Sequence, residues 1–83
     1  MNMTELECIY DSRKSFYGKA NLVEEENGIS LYSYDTKVAT IYTNGLAKVF
    51  GTYSQTTLRH IKEFFKQNGL KADTKKQIEK DYL

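Results

Sequence analysis

Two Asn-Gly pairs, Asn27-Gly28 and Asn44-Gly45, constrain the fold of this 83-residue chain more than any other feature. Asn-Gly is the strongest short-range signal for a β-hairpin, because a type I′ turn needs a positive φ at both of its central residues. The residues around both pairs are rich in β-branched and aromatic types, which favour strands. We therefore predict two hairpins, whose strands cover residues 16–26, 29–34, 37–43 and 46–53.

A turn over residues 33–36 is predicted to join the two hairpins, so the middle of the chain becomes an antiparallel meander of four strands. Residues 6–10 predict a fifth strand at an edge of the sheet. The prediction rests on alternation, because Leu6, Cys8 and Tyr10 alternate with Glu7 and Ile9.

After residue 54, apolar side chains recur at helical spacing. They are Leu58, Ile61, Phe64 and Phe65. Ser54 is a good N-cap residue, and Tyr53 and Leu58 are spaced as a hydrophobic staple. Asn68-Gly69 is a C-cap signal, after which Leu70 would meet Phe65 as in a Schellman motif. These signals predict a helix over residues 55–68.

A second, short helix is predicted near the end of the sequence, since Thr74 and Gln77 have the spacing of a capping box. It would carry Ile78 and Tyr82 inward; otherwise residues 71–83 form a partly frayed tail. We thus predict one α+β domain over residues 1–83, with its core at about 5–70. An antiparallel meander of four to five strands is followed by one main helix and a short C-terminal helix.

Composition excludes several classes of protein. Cys8 is the only cysteine, so no intrachain disulfide forms, and Cys8 with His60 are too few ligands for a structural zinc site. The first ten residues lack the basic and apolar segments of a signal peptide. No apolar run approaches the ~18 residues of a membrane span. We expect a cytoplasmic protein with no metal, no cofactor and no membrane association.

The start of the predicted helix is a candidate recognition site. A helix N-terminus has free N–H groups and partial positive charge, and neighbouring hydroxyl and arginine side chains suit a phosphate. The candidate residues here are Ser54, Thr56, Thr57, Arg59 and His60. The alternative is that Ser54 caps the helix and that His60 is a rim side chain with one hydrogen bond.

A hydrolase or transferase that uses His60 as a base, with Ser54 or Thr57 as the nucleophile, is a further interpretation. Such a site also needs a group that orients the base and a prepared oxyanion site. The sequence identifies neither, so we predict that the protein is not an enzyme.

Basic residues are concentrated in the helical part of the chain. Residues 1–54 have a net charge of −2 and residues 55–83 have a net charge of +3, within an overall charge of +1. A basic surface of this kind can contact phosphates, although a solvated helix face is the alternative. The candidate phosphate contacts are Arg59, Lys62, Lys66, Lys71, Lys75 and Lys76.

Three tyrosines, Tyr32, Tyr34 and Tyr42, are predicted to lie near one another on adjacent strands. Ile29 and Leu31 alternate with the first two, which puts the tyrosines on the face opposite the aliphatic side chains. Tyrosine is enriched at protein interfaces, and it also offers a surface for base stacking. The alternative is that these tyrosines only cover the outside of the sheet and pair across strands.

Two segments of the sequence form a joint pattern. S-Y-D-T-x-V-A begins at Ser33, and Y-S-x-T-T-x-R-H-I-x-E-F-x-x-Q-x-G begins at Tyr53. Over about residues 15–70, this pattern resembles a small domain-of-unknown-function family of Gram-positive bacteria and their phages. The resemblance implies a small cytosolic protein that is often carried on mobile elements, and it assigns no activity. It adds Asp35 to the candidate recognition site.

These observations lead us to expect a non-catalytic binding or accessory module, associated with a mobile element, that acts on a protein partner. The tyrosines or the helix start would make the contact. The alternative function is nucleic-acid binding by the basic C-terminal half. The sequence leaves the partner's identity and the oligomeric state open.

Overall fold

Five strands and two helices follow one another along the chain, in a computed structural model that describes residues 3–51 and 54–83. The strands are β1 (Met3–Glu5), β2 (Ala20–Glu25), β3 (Gly28–Ser33), β4 (Thr36–Tyr42) and β5 (Ala47–Val49). The helices are α1 (Gln55–Gln67) and α2 (Lys75–Tyr82). The predicted α+β class, with a meander followed by one main and one short helix, is confirmed.

All neighbouring strands pair antiparallel in the order β1-β2-β3-β4-β5. A fifth strand lies at the edge as predicted, but the prediction of residues 6–10 for it is wrong. The edge strand is β1, three residues earlier, and Leu6 turns into the core with 1% of its surface exposed. Residues 6–19 then form a long connection to β2, called the N-terminal loop below.

The hairpin turns differ in detail from type I′ Asn-Gly turns. Glu26 and Asn27 form the β2–β3 turn, and Gly28 is already paired within the sheet. A Cβ on Gly28 would lie 2.3 Å from the carbonyl oxygen of Ile41, so close strand approach requires this glycine. In the second hairpin, Gly45 has a φ of 88° and donates its N–H to the Tyr42 carbonyl. That geometry belongs to a three-residue loop with glycine in the left-handed position.

Like the connection between β2 and β3, the β3–β4 connection is a two-residue turn. Tyr34 and Asp35, its two central residues, have φ values of 57° and 95°. Positive φ at both central residues defines the turn type that was predicted for Asn-Gly. The turn predicted at residues 33–36 is therefore confirmed, although neither residue is a glycine.

α1 begins and ends where its capping signals predict. The Ser54 hydroxyl accepts the N–H of Thr57 at 3.1 Å, and the Leu70 N–H donates to the Phe65 carbonyl at 2.9 Å, as in a Schellman motif. The hydrophobic staple predicted between Tyr53 and Leu58 involves a residue outside the described ranges. The apolar side of α1 packs on β3 and β4.

α2 packs against β5 and closes the same core. Thr74 caps its start by accepting the Gln77 N–H, and Ile78 is fully buried. The Tyr82 hydroxyl donates to the Lys71 carbonyl at 2.9 Å, while its ring meets the Phe65 ring edge-on at 4.7 Å. Throughout residues 3–51 and 54–83, no helix has the length and apolar character needed to cross a membrane.

Candidate functional site

Three polar side chains form a buried hydrogen-bonded network between β3 and α1. The Ser33 hydroxyl lies 2.8 Å from Nδ1 of His60 and 3.0 Å from the hydroxyl oxygen of Thr57. None of the three residues is more than 4% exposed. The Phe16 ring packs edge-on against the imidazole with centroids 4.5 Å apart, and the Tyr34 ring lies 5.9 Å away. Polar and aromatic contacts therefore enclose His60.

Burial lowers the pKa of His60 from 6.5 to about 4, because the charged imidazolium would lose its water. The positive charge of Arg13 lowers this pKa further, and the negative charge of Asp11 acts against the shift. The ring is therefore neutral at pH 7. With its hydrogen bond to Ser33, it is a satisfied core histidine rather than a rim side chain.

The helix-start residues thus separate into buried and accessible groups. Thr57 and His60, two of the predicted recognition residues, belong to the buried network and are not on the accessible surface of the helix start. Ser54 is exposed and caps α1, while Thr56 is half-buried. Asp35 and Arg59 are exposed, Asp35 in the β3–β4 turn and Arg59 on the outer side of α1.

A second buried polar contact lies on the flank of α1. The Glu63 carboxylate, on a residue that is 1% exposed, accepts the N–H groups of Tyr10 at 2.9 Å and of Asp11 at 2.7 Å. The Gln67 amide, one turn later, donates to this carboxylate at 2.6 Å and to the Glu7 carbonyl at 2.7 Å. Glu63 and Gln67 therefore fasten the N-terminal loop to α1.

We expect Glu63→Gln to lower the free energy of unfolding by about 2 kcal/mol, measured by chemical denaturation. A carboxamide has one acceptor oxygen where the carboxylate has two, and its NH2 group would face main-chain donors. Amide hydrogen exchange at Tyr10 and Asp11 should become faster. Lys66→Ala, at an exposed position of the same helix, should change stability by about 0.5 kcal/mol or less. Unchanged exchange at Tyr10 and Asp11 would contradict the assignment.

A cleft of about 380 Å³ lies between the N-terminal loop and the exposed side of α1. We call it the basic cleft, because α1 lines it with Arg59, Lys62 and Lys66. The loop contributes Tyr10 and Ser12 to the opposite wall. Three of the predicted phosphate contacts thus come together in one cleft.

The other three predicted phosphate contacts lie elsewhere. They are Lys71 in the α1–α2 connection and Lys75 and Lys76 in the first turn of α2. Phe65 contacts α2, whereas Glu63, two residues earlier, binds the N-terminal loop. A separation of two residues corresponds to about 200° around a helix. α2 and the N-terminal loop are therefore on opposite flanks of α1. The basic residues form two groups rather than the single surface that was predicted.

The face of the sheet opposite the helices, called the outer face below, is covered by neither helix. Strand alternation and pairing assign to it Val23, Ser30, Tyr32, Thr40 and Tyr42. Tyr32 and Tyr42 lie there as predicted, and both are half-buried. The same prediction for Tyr34 is wrong, because β3 ends at Ser33 and the turn directs the Tyr34 ring towards His60.

Two buried hydroxyl groups lie at the centre of the outer face. The side chains of Ser30 and Thr40 are hydrogen-bonded at 2.7 Å and are at most 2% exposed. Glu25 accepts a hydrogen bond from Ser30 and forms a 3.0 Å ion pair with Lys37, so this pair reaches across the hydroxyl groups. The Ser30 hydrogen bond, followed by Lys37, lowers the pKa of Glu25.

The network at His60 and the buried contact at Glu63 depend on three residues that were not predicted from the sequence as site residues. They are Ser33, Glu63 and Gln67. Apart from the contact between Glu63 and Gln67, which are one helical turn apart, their partners are 24 to 60 positions away. No local spacing connects them to those distant partners. A signal was present nonetheless, because all three occupy defined positions of the S-Y-D-T and Y-S-x-T-T patterns. Polar residues at fixed positions beside a helix's apolar stripe are candidates for buried hydrogen-bonding roles.

Comparison with known proteins identifies the family. A search of curated proteins and a search of solved structures each returned no match. Residues 4–80 match a family of unknown function, DUF8033. The matched range includes the network at His60, the buried contact at Glu63, the basic cleft and the outer face. The chain therefore belongs to the DUF8033 family.

Proposed function

We propose that the protein is a non-catalytic binding module that recognises a protein partner through the outer face of its sheet. The observation that carries this proposal is the packing of both helices on one face of a five-stranded sheet. The other face is left with two tyrosines, Tyr32 and Tyr42, around small side chains.

The chemistry of the outer face suits a protein interface. Tyrosine supplies a large, rigid contact area with a polar tip and loses little conformational entropy on binding. Tyr32 and Tyr42 are already half-buried in the free protein, so their side chains lose less conformational entropy when a partner binds. The hydroxyl groups of Ser30 and Thr40 and the Glu25–Lys37 pair satisfy one another, so a partner can cover these four side chains without leaving their polar groups unpaired.

The non-catalytic part of the proposal is supported by the state of His60. A general base needs access to the proton that it abstracts and a pKa near the working pH. His60 is 1% exposed, and its pKa of about 4 is far below neutrality. Its nearest hydroxyl groups, those of Ser33 and Thr57, are buried with it.

We further propose that the module is an accessory protein of a mobile element in a Gram-positive host and acts in the cytoplasm. The support is the joint pattern beginning at Ser33 and Tyr53, which resembles proteins of such bacteria and their phages. The single free cysteine, Cys8, is also typical of proteins from reducing compartments.

Affinity capture from a nuclease-treated lysate of a Gram-positive host tests the binding function. The immobilised wild-type protein should retain a partner that the double variant Tyr32→Ala/Tyr42→Ala retains at least about tenfold less, as expected for interface tyrosines. Tyr17→Ala, which removes a tyrosine that is 74% exposed on the N-terminal loop, is the matched control and should retain it fully.

Circular dichroism should show that all three proteins are folded. Two results would contradict the proposal: folded wild-type protein that retains no partner, or equal retention by the wild type and the double variant.

A further inference from the structure

The basic cleft has an excess of positive charge that the protein does not neutralise. Its two acidic groups are occupied, since Glu63 accepts main-chain N–H groups and Asp11 lies 3.4 Å from Arg59. Lys62 and Lys66, in contrast, have no ion-pair partner among residues 3–51 and 54–83. Two cationic groups without an ion-pair partner are therefore left facing the cleft.

An exposed aromatic side chain faces these cations. Tyr10 is 60% exposed and lines the cleft from the N-terminal loop, although its own N–H is held by Glu63. The main chain at Tyr10 is thus fixed while the ring remains available. Cations along a groove together with an exposed ring are the two elements by which proteins bind single-stranded nucleic acid.

We propose that the basic cleft binds single-stranded nucleic acid, with Lys62 and Lys66 on successive phosphates and a base stacked on Tyr10. Lys62 and Lys66 are separated by about 6 Å along the axis of α1, and Arg59 precedes Lys62 by about 4.5 Å. The cations therefore form a row, as a chain of phosphates requires. A phosphorylated side chain would instead favour clustered arginines, and the single arginine of the cleft is engaged by Asp11.

This site is separate from the outer face and is independent of the proposed protein partner. It uses two of the six basic residues that the sequence suggests as phosphate contacts, Lys62 and Lys66, and it adds Tyr10. Lys71, Lys75 and Lys76 have no part in it.

Fluorescence anisotropy with a labelled oligodeoxythymidylate tests the proposal on the full chain. Affinity should fall with increasing salt, with a slope of log K against log salt of about −0.7 for each phosphate contact. Two lysine contacts predict a slope of about −1.4 or steeper. Tyr10→Ala should weaken binding by about fivefold or more, because a stacked base is lost.

Two double variants separate the cleft from general positive charge. Lys62→Gln/Lys66→Gln should remove most of the salt dependence, whereas Lys75→Gln/Lys76→Gln, with the same change in charge, should leave affinity and slope unchanged. Equal losses in both would overturn the proposal, as would the absence of any complex at low salt. So would equally effective competition by polyglutamate, which has the charge but no bases.

Discussion

Phe65→Ala is expected to lower the free energy of unfolding by about 3–5 kcal/mol. Phe65 is fully buried. Its ring centroid lies 5.8 Å from that of Phe64 on α1 and 4.7 Å from that of Tyr82 on α2, so the ring links the two helices. An 83-residue domain has a total stability of about 4–12 kcal/mol, so this single change removes a large share of it. Amide exchange should also become faster throughout α2, because Tyr82 loses its aromatic partner.

Phe50→Ala is the matched control for this prediction. Phe50 is 42% exposed, so its truncation should cost less than about 1 kcal/mol. Phe65→Leu, which retains most of the buried volume, should remain folded and lose about 1.5 kcal/mol or less. Similar losses for Phe65→Ala and Phe50→Ala in urea denaturation would show that Phe65 does not hold the two helices together.

The stability of the protein should decrease by about 3 kcal/mol between pH 6.5 and pH 4 because of His60 alone. The unfolded chain binds a proton at His60 below a pKa of 6.5, but the folded protein binds it only below about 4. Protons therefore favour the unfolded state throughout that interval. The contribution is complete above pH 6.5, is lost as the pH falls to 4, and does not change further below it. Asp11 and Arg13 are the charged groups that modify this pKa.

Comparison of the wild type with His60→Gln isolates this contribution, because both proteins share the same acidic residues. Urea denaturation at several pH values should give a steeper loss for the wild type, by about 3 kcal/mol between pH 6.5 and 4. Parallel curves would contradict a buried, neutral His60. NMR titration of the single imidazole in the wild type provides a second measurement, with an expected midpoint near 4.

The helices could be predicted well from the sequence because their signals are local. The Ser54 cap, the apolar face and the Asn68-Gly69 end all lie within the segment that they define, and α1 is found within one residue of the prediction. Thr74 and Gln77 likewise mark the start of α2. Capping and periodicity depend on neighbours in the chain, so tertiary contacts had little to alter.

The sheet could be predicted in outline but not in its edges and turns, which depend on distant residues. β1 is placed by its pairing with residues of β2 that are 16 to 20 positions away, so alternation in residues 6–10 gave the wrong location. Gly28 serves close approach to Ile41 rather than a turn. A register shift beside Tyr32 adds a residue to β4, so Val38 and Ala39 are both buried, which no period-two pattern predicts.

The candidate site was predicted least well, since its geometry combines the sheet with the helix. His60 reads as a helix-edge residue until Ser33 of β3 is placed beside it, 27 positions away. The polar pattern of the helix start suggested a recognition site, and the structure shows Thr57 and His60 within the interior instead. The tyrosines of the strands were assigned correctly where alternation applies, at Tyr32 and Tyr42, and wrongly at the turn residue Tyr34.

Site-specific photo-crosslinking tests the proposed protein-binding face most directly. Benzoylphenylalanine replaces Tyr42 on the outer face in one protein and Tyr17 on the N-terminal loop in another, and each is irradiated in the host lysate. If the outer face binds the partner, position 42 gives a discrete crosslinked protein and position 17 gives none. A crosslink from position 17 alone, or from neither position in folded protein, would contradict the proposal.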